Sequence, residues 1–264
     1  MGETNQKTFK SLAPCLASLL LLAGCQHIQD AVSTTPKVGV VALFDISAST
    51  DQDALRKRYQ NEFMEIVARL ATQDGLVVRA DAIRATPLAE TTFPIRIDMA
   101  RMNVINRNDS NLDDAVKLAK NQVLQELGSL FSQNPATRHT RILDAIEVTS
   151  RVFNGEDMKG VLDRRLVVFS DMIESSDRYE FTRAGLSAKA IAAMIQKDKQ
   201  AGRVPSLGGV HVWVAGAGAG GGAGLSGDQL RSIEQFWLEY FRAAGAELVP
   251  TRYGSTLLNF SATP

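Results

Sequence analysis

Residues 38–49 read VGVVALFDISAS. The first seven are apolar without interruption, which is typical of a central strand buried on both faces of a parallel sheet. An aspartate and two serines follow at every second position, namely Asp45, Ser47 and Ser49. Ligands of open α/β sheets bind beyond the carboxyl ends of the strands. This stretch therefore predicts a buried strand with a group of oxygen ligands at its end.

The rest of the chain alternates between the two kinds of periodicity. Strands are predicted at 76–83, 91–97, 165–169, 210–215 and 247–249, and helices at 55–70, 112–131, 140–153, 188–199 and 228–244. Strands that alternate with helices predict a mostly parallel α/β sheet with helices on both faces. The short connection that contains Pro87 predicts a hairpin and hence one antiparallel edge strand. The expected architecture is thus a six-stranded α/β sheet.

The N-terminal segment is expected to lie outside this fold. Residues 12–23 are mostly apolar and lead into Leu22-Ala23-Gly24-Cys25. The apolar run has the length of a signal-peptide core and is short for a membrane span. Small residues directly before a cysteine resemble a bacterial lipobox, which implies cleavage before Cys25 and its acylation. The expected organisation is a signal peptide over 1–24, a lipidated tether over 25–37 and one domain over 38–264.

The lipobox resemblance also implies a location. Several acyl chains anchor a protein firmly to a membrane, so the domain is expected to be lipid-anchored in the bacterial cell envelope. Gln26 follows Cys25, and by resemblance to enterobacterial sorting a residue other than Asp there favours the outer membrane, facing the periplasm. An ordinary secretory signal with an incidental cysteine is the open alternative. Cys15 lies within the signal, so the domain itself has no cysteine for a disulfide.

Composition and motifs exclude several classes of ligand. Lys and Arg together number 29, as do Asp and Glu, so there is no basic excess to favour nucleic acid. The glycine-rich stretch 215–224 contains G-x-G-x-x-G, but it follows a late strand rather than the first one, so no nucleotide is expected. No serine–histidine–acid set or G-x-S-x-G motif indicates a hydrolase. These patterns favour a binding protein over an enzyme.

Two more oxygen-bearing positions fall where strands end or helices begin. Asp171 follows the buried strand 165–169, and Thr140 opens the helix 140–153. Taken singly, Thr140 fits a helix cap and Asp171 a turn residue. Hydroxyl and carboxylate oxygens are the ligands that hard cations such as Mg²⁺ and Ca²⁺ prefer. Together with the three positions after the first strand, they predict one metal site.

This array resembles the metal-ion-dependent adhesion site of von Willebrand factor A (VWA) domains. Asp45, Ser47 and Ser49 match the family's D-x-S-x-S, Thr140 its threonine before a helix, and Asp171 its aspartate after the fourth strand. The resemblance covers about residues 37–249. It implies a VWA/Rossmann-like fold, a bound Mg²⁺ (alternatively Mn²⁺ or Ca²⁺), and a protein partner whose Glu or Asp carboxylate completes the coordination. The chain departs from the family at 136–139, which lacks the usual glycines, and at Met172, where the family has Gly.

The expected function is therefore a divalent-cation-dependent protein-binding module, not an enzyme. One alternative is a metal-free scaffold with the same fold. A less favoured alternative is a Mg²⁺-dependent phosphatase, because Asp45 also resembles the nucleophile of haloacid-dehalogenase-like enzymes. That family needs a second Asp two residues later, where this chain has Ser47. Around the site, residues 174–176 are expected to form a solvated loop, whereas Trp213 and Trp237 are expected in the core.

Overall fold

The structure is a computed structural model that describes residues 38–71, 75–83, 93–98, 109–132, 139–182, 186–219 and 224–261. The expected signal peptide, Cys25, the tether and the Pro87 connection lie outside these residues. The strands are β1 (Val38–Asp45), β2 (Leu76–Ile83), β3 (Ile95–Asp98), β4 (Asp163–Phe169), β5 (Val210–Ala215) and β6 (Tyr253–Gly254). The helices are α1 (Asp53–Leu70), α2 (Asp109–Phe131), α3 (Ile142–Phe153), α4 (Ala188–Gln200) and α5 (Gly227–Ala244), with 3₁₀ turns at Glu156–Met158 and Pro250–Arg252.

The strands form one six-stranded sheet in the order β3-β2-β1-β4-β5-β6. All neighbouring strands are parallel except β3, which pairs antiparallel with β2 at one edge. The VWA/Rossmann-like α/β fold expected from the sequence, with its single antiparallel edge strand, is thereby confirmed. Phe44 of β1 is in register with Phe169 of β4, and Phe169 with Ala215 of β5. The residues that follow these three strands therefore meet at one edge of the sheet.

The unbroken apolar run of β1 contributes residues to two hydrophobic layers, one on each face of the sheet. Successive strand residues point to opposite faces of a sheet. The residues that pack with α1 and α2 are Val40, Ala42 and Phe44, and those that pack with α3, α4 and α5 are Val41 and Leu43. Helices therefore cover both faces, as expected. Trp213 lies in the first layer and Trp237 in the second, and both are fully buried, as expected.

Two segments differ from the sequence-based expectation. Glu247 makes a single bridge to His211, and the sixth strand lies further on because Pro250 begins a 3₁₀ turn and cannot extend a ladder. Thr140 forms a bridge with Ser175 instead of opening the helix, which begins at Ile142. Within the described ranges, no helix is both long and apolar enough to cross a membrane.

Candidate metal centre

Asp45 ends β1, and its side chain is fully buried. Its Oδ1 accepts a hydrogen bond from the amide of Ser47 at 2.9 Å, and its Oδ2 accepts one from the hydroxyl of Ser170 at 2.7 Å. Burial raises the pKa of Asp45, and the hydrogen bonds from Ser170 and Ser47 oppose that rise. The loop after β1 and the end of β4 therefore fix this carboxylate from two sides.

The two serines of the motif lie together in the turn that follows Asp45. Their hydroxyl oxygens are 3.0 Å apart. Ser47 is buried, whereas Ser49 is partly exposed. The hydroxyl of Thr50, a residue that the sequence analysis missed, donates to the carbonyl oxygens of Asp45 at 2.9 Å and Ser47 at 3.0 Å. Thr50 thus holds the turn in the shape that brings the two serine hydroxyls together.

Asp171 lies two residues beyond β4 and is only 2% exposed. Its Oδ1 accepts a hydrogen bond from the amide of Ile173 at 3.0 Å, whereas its buried Oδ2 has no hydrogen-bond partner among the described residues. Burial and then the charge of Asp45 raise the pKa of Asp171 to about 7, while hydrogen bonds from the Ser49 hydroxyl and the Ile173 amide oppose the rise. Ser49 and Asp45 therefore both act on the Asp171 carboxylate, Ser49 through a hydrogen bond and Asp45 through its charge.

Thr140 is brought to this region through its backbone. It is 3% exposed, and it exchanges two hydrogen bonds with Ser175, at 2.9 and 3.0 Å. This bridge joins the segment before α3 to the segment that carries Asp171. Within the described residues, however, no hydrogen bond links the Thr140 hydroxyl to Asp45 or Asp171. Thr140 also does not cap α3, because Arg141 occupies the N-cap position.

Glu174 is the most unexpected member of the region. The expectation of a solvated loop is wrong for this residue, which is fully buried. Its Oε2 accepts a hydrogen bond from the amide of Leu143 at 3.0 Å, so the first turn of α3 is capped by a side chain 31 positions away. Burial raises the pKa of Glu174 to about 7. Glu174 and the Thr140–Ser175 bridge therefore fasten the start of α3 to the Asp171 segment at two points.

We expect Glu174 to make the protein less stable as the pH rises from 4.5, its ordinary pKa, to about 7. In that window the folded protein keeps the proton that the unfolded chain has lost, so the free energy of unfolding falls with rising pH. Glu174→Gln, which stays neutral, should remove up to about 3 kcal/mol of this dependence. Chemical denaturation at several pH values in chelator would measure the difference.

Glu147→Gln is the matched control for this experiment, because its side chain is 36% exposed on α3. It should keep the pH dependence of the wild type. Asp171 titrates in both proteins, so it cancels when wild type and Glu174→Gln are compared. Superimposable stability–pH curves for these two proteins would contradict the buried position of Glu174.

Met172, at the position where the sequence departs from the VWA pattern, adopts an uncommon backbone conformation. Its φ is +64°, a left-handed conformation that disfavours side chains. The amide of Met172 donates to the Ser170 hydroxyl at 3.0 Å, and its carbonyl accepts from the Trp237 indole at 2.8 Å. Ser170, which the sequence analysis did not include among the ligands, thus supports both Asp45 and the turn after Asp171.

The first part of the glycine-rich stretch packs against the same edge. The amide of Gly218 donates to the carbonyl of Asp171 at 3.1 Å, and the amides of Gly216 and Ala217 both donate to the carbonyl of Gly254 at 3.0 Å. The loop therefore supports the Asp171 segment from the β5 side.

The donor set fits a hard cation better than a soft one. Across the described ranges, no three His, Cys, Asp or Glu side chains cluster as a metal site. His139 is exposed and lies 3.4 Å from the Ser175 hydroxyl. What converges instead is two buried carboxylates and two hydroxyls, with the Asp171 Oδ2 left unpartnered. Oxygen ligands of this kind suit Mg²⁺.

No protein-family model and no curated protein matches the chain. Among solved structures, the chain is similar to the manganese-loaded TRAP protein of Plasmodium vivax, with 14% identity over 83% of this chain and 68% of that chain, and a TM-score of 0.42. The strand order and side-chain contacts of the chain itself, rather than this likeness, define its fold class and candidate site.

Proposed function

We propose that this chain is a protein-binding module that holds Mg²⁺, or alternatively Mn²⁺ or Ca²⁺, at the Asp45–Asp171 edge. The observation that carries the proposal is the pair of buried carboxylates, one of which has an unpartnered oxygen. Two like charges buried together are unfavourable unless a proton or a cation compensates them. Ser47, Ser49 and the two aspartates would hold the cation, and Thr140 is the proposed fifth ligand.

A carboxylate of a partner protein is the proposed group that completes the site. The serines are neutral ligands, so the cation keeps part of its charge and attracts an external anion. Both aspartates are buried, whereas Ala48 is exposed and Ser49 partly exposed. A partner's Glu or Asp would therefore approach from the side of the 47–49 turn. We propose binding rather than catalysis because Ser47 replaces the second Asp that the phosphatase alternative requires.

The proposed location is the outer membrane of a bacterial cell envelope, facing the periplasm. This part of the proposal is supported by the sequence Leu22-Ala23-Gly24-Cys25 alone. An acylated Cys25 would anchor the chain, and residues 26–37 would act as a polar tether. A tethered domain can meet partners on neighbouring envelope proteins.

We expect saturating Mg²⁺ to raise the melting temperature by about 5–10 °C, because a ligand at a hundred times its Kd stabilises a folded protein by about 2.7 kcal/mol. Asp171→Asn should abolish this rise, since it removes one charge while Oδ1 can still accept from Ile173. The same variant should be more stable than wild type in chelator, because the repulsion with Asp45 is relieved. Asp45→Ala should also lose the response. Differential scanning calorimetry would measure these shifts.

Asp157→Asn is the control variant. Asp157 lies in the first 3₁₀ turn and pairs with Arg79. Met158 of the same turn contacts Gly39, at the end of β1 that lies opposite to the candidate site. The melting temperature of this variant should rise with Mg²⁺ as in wild type. A wild-type melting curve that neither Mg²⁺ nor chelator moves would contradict the metal site.

Partner binding from an envelope extract should require Mg²⁺, should fail with Asp171→Asn and should be competed by acetate. Capture of the partner in chelator would contradict the carboxylate bridge.

A further inference from the structure

The side chain of Tyr59, in α1, lies next to the candidate site at the ends of β4 and β5. Its side chain is fully buried, and its ring packs on Phe169 with centroids 5.4 Å apart. A Cβ atom added to Gly216 would lie 2.0 Å from the Tyr59 hydroxyl oxygen and 2.8 Å from the carbonyl oxygen of Ser170. The hydroxyl therefore lies between the ends of β4 and β5, close to Ser170, the residue before Asp171.

The Tyr59 hydroxyl is also chemically unusual. It is buried with no hydrogen-bond partner among the described residues. By contrast, the hydroxyl of Tyr179 donates to the carbonyl of Met194 at 3.1 Å. Burying a hydroxyl without a partner is unfavourable, and phenylalanine would fill the same space without it. The oxygen atom of Tyr59 therefore needs a role other than packing.

The chemistry of the neighbouring groups indicates what that role is. The phenol hydroxyl of Tyr59 is a hydrogen-bond donor, and the carboxylates of Asp45 and Asp171 lie close enough to interact with it electrostatically. The Oδ2 atom of Asp171 is a buried acceptor that likewise has no partner in the described part of the chain. A donor and an acceptor that both lack partners thus border the same sheet edge.

We propose that Tyr59 is a positioning residue of the cation site, whose hydroxyl donates to the Asp171 carboxylate, directly or through one water, when the cation is bound. This inference rests on the proposed function. The hydrogen bond would add a third contact to a carboxylate that already accepts hydrogen bonds from the Ser49 hydroxyl and the Ile173 amide. Groups that orient a metal ligand in this way commonly raise metal affinity by tenfold or more. Glycine at 216 leaves the space that the hydroxyl occupies.

Tyr59→Phe tests this inference because it removes a single oxygen atom. In chelator, the variant should be as stable as wild type or more stable, because an unpartnered hydroxyl is gone. Its dissociation constant for Mg²⁺, measured by isothermal titration calorimetry of the whole protein, should rise about tenfold. Mg²⁺ should also change the tyrosine ultraviolet difference spectrum of wild type and leave that of Tyr59→Phe unchanged.

Tyr179→Phe is the matched control. It loses the hydrogen bond to Met194, so it should be less stable than wild type and yet bind Mg²⁺ with wild-type affinity. If Tyr59→Phe instead behaves like Tyr179→Phe, the hydroxyl has a structural role only and the inference is overturned. A wild type that binds no Mg²⁺ would overturn the proposed function itself, whereas equal binding by wild type and Tyr59→Phe overturns only the role of Tyr59.

Discussion

Gly216→Ala should destabilise the protein by about 3–5 kcal/mol, the combined effect of backbone strain and overpacking. The φ of Gly216 is +106°, which residues with a side chain rarely adopt. The new Cβ would also lie 2.0 Å from the Tyr59 hydroxyl oxygen and 2.8 Å from the Ser170 carbonyl oxygen. Tyr59 cannot withdraw, because its ring is buried against Phe169. Urea denaturation would measure the loss of stability.

Gly218→Ala separates the two contributions. Gly218 also has a positive φ, of +65°, but an added Cβ would meet only the Leu230 methyl groups, at 3.5 and 3.6 Å. We expect this variant to lose about 1–2 kcal/mol. Adding Tyr59→Phe to Gly216→Ala should recover part of the loss, since the closest contact disappears. A Gly216→Ala protein as stable as Gly218→Ala would contradict the close packing of β4, β5 and α1 at this edge.

The sequence is sufficient to place Asp45 and Asp171 at one edge of the sheet. Both follow continuous apolar runs, which indicate buried parallel strands, and parallel strands end on the same side. The same periodicity does not predict the position of the Tyr59 hydroxyl beside the site. Tyr59 falls on the apolar stripe of α1 with Leu55 and Phe63, so the pattern indicates only a core residue. That its hydroxyl reaches the strand ends depends on how α1 packs over β4.

For a related reason, the local sequence pattern does not predict the contacts around Thr140. A threonine before an apolar periodic segment predicts a helix cap. The cap is instead supplied by Glu174, which is distant in sequence and follows another strand. A short polar stretch such as 174–176 predicts a surface loop. Glu174 and Ser175 are buried because the segment folds back across the start of α3. That long-range contact leaves no periodic signal in either segment.

Asp198→Leu should be among the most destabilising single changes, at about 3–5 kcal/mol. Asp198 is fully buried in α4, and its carboxylate bonds to Arg178 at 2.8 Å and to Arg203 at 3.0 Å. The Arg178 side chain is only 6% exposed. Without Asp198, its guanidinium charge would remain buried without a counter-ion, and breaking a buried pair on one side is far more costly than removing both partners.

The consequences should extend to the candidate site, because Arg178 lies on the same segment as Asp171 and Glu174. Combining Asp198→Leu with Arg178→Met should restore most of the stability in urea denaturation, as the double-mutant cycle removes the uncompensated charge. Asp228→Leu, which breaks an exposed pair with Arg231 in α5, is the control and should lose less than about 1 kcal/mol. Equal losses for Asp198→Leu and Asp228→Leu would mean that the buried pair does not hold the segment. A stable double variant with weakened Mg²⁺ binding would instead show that the pair also sets the position of Asp171.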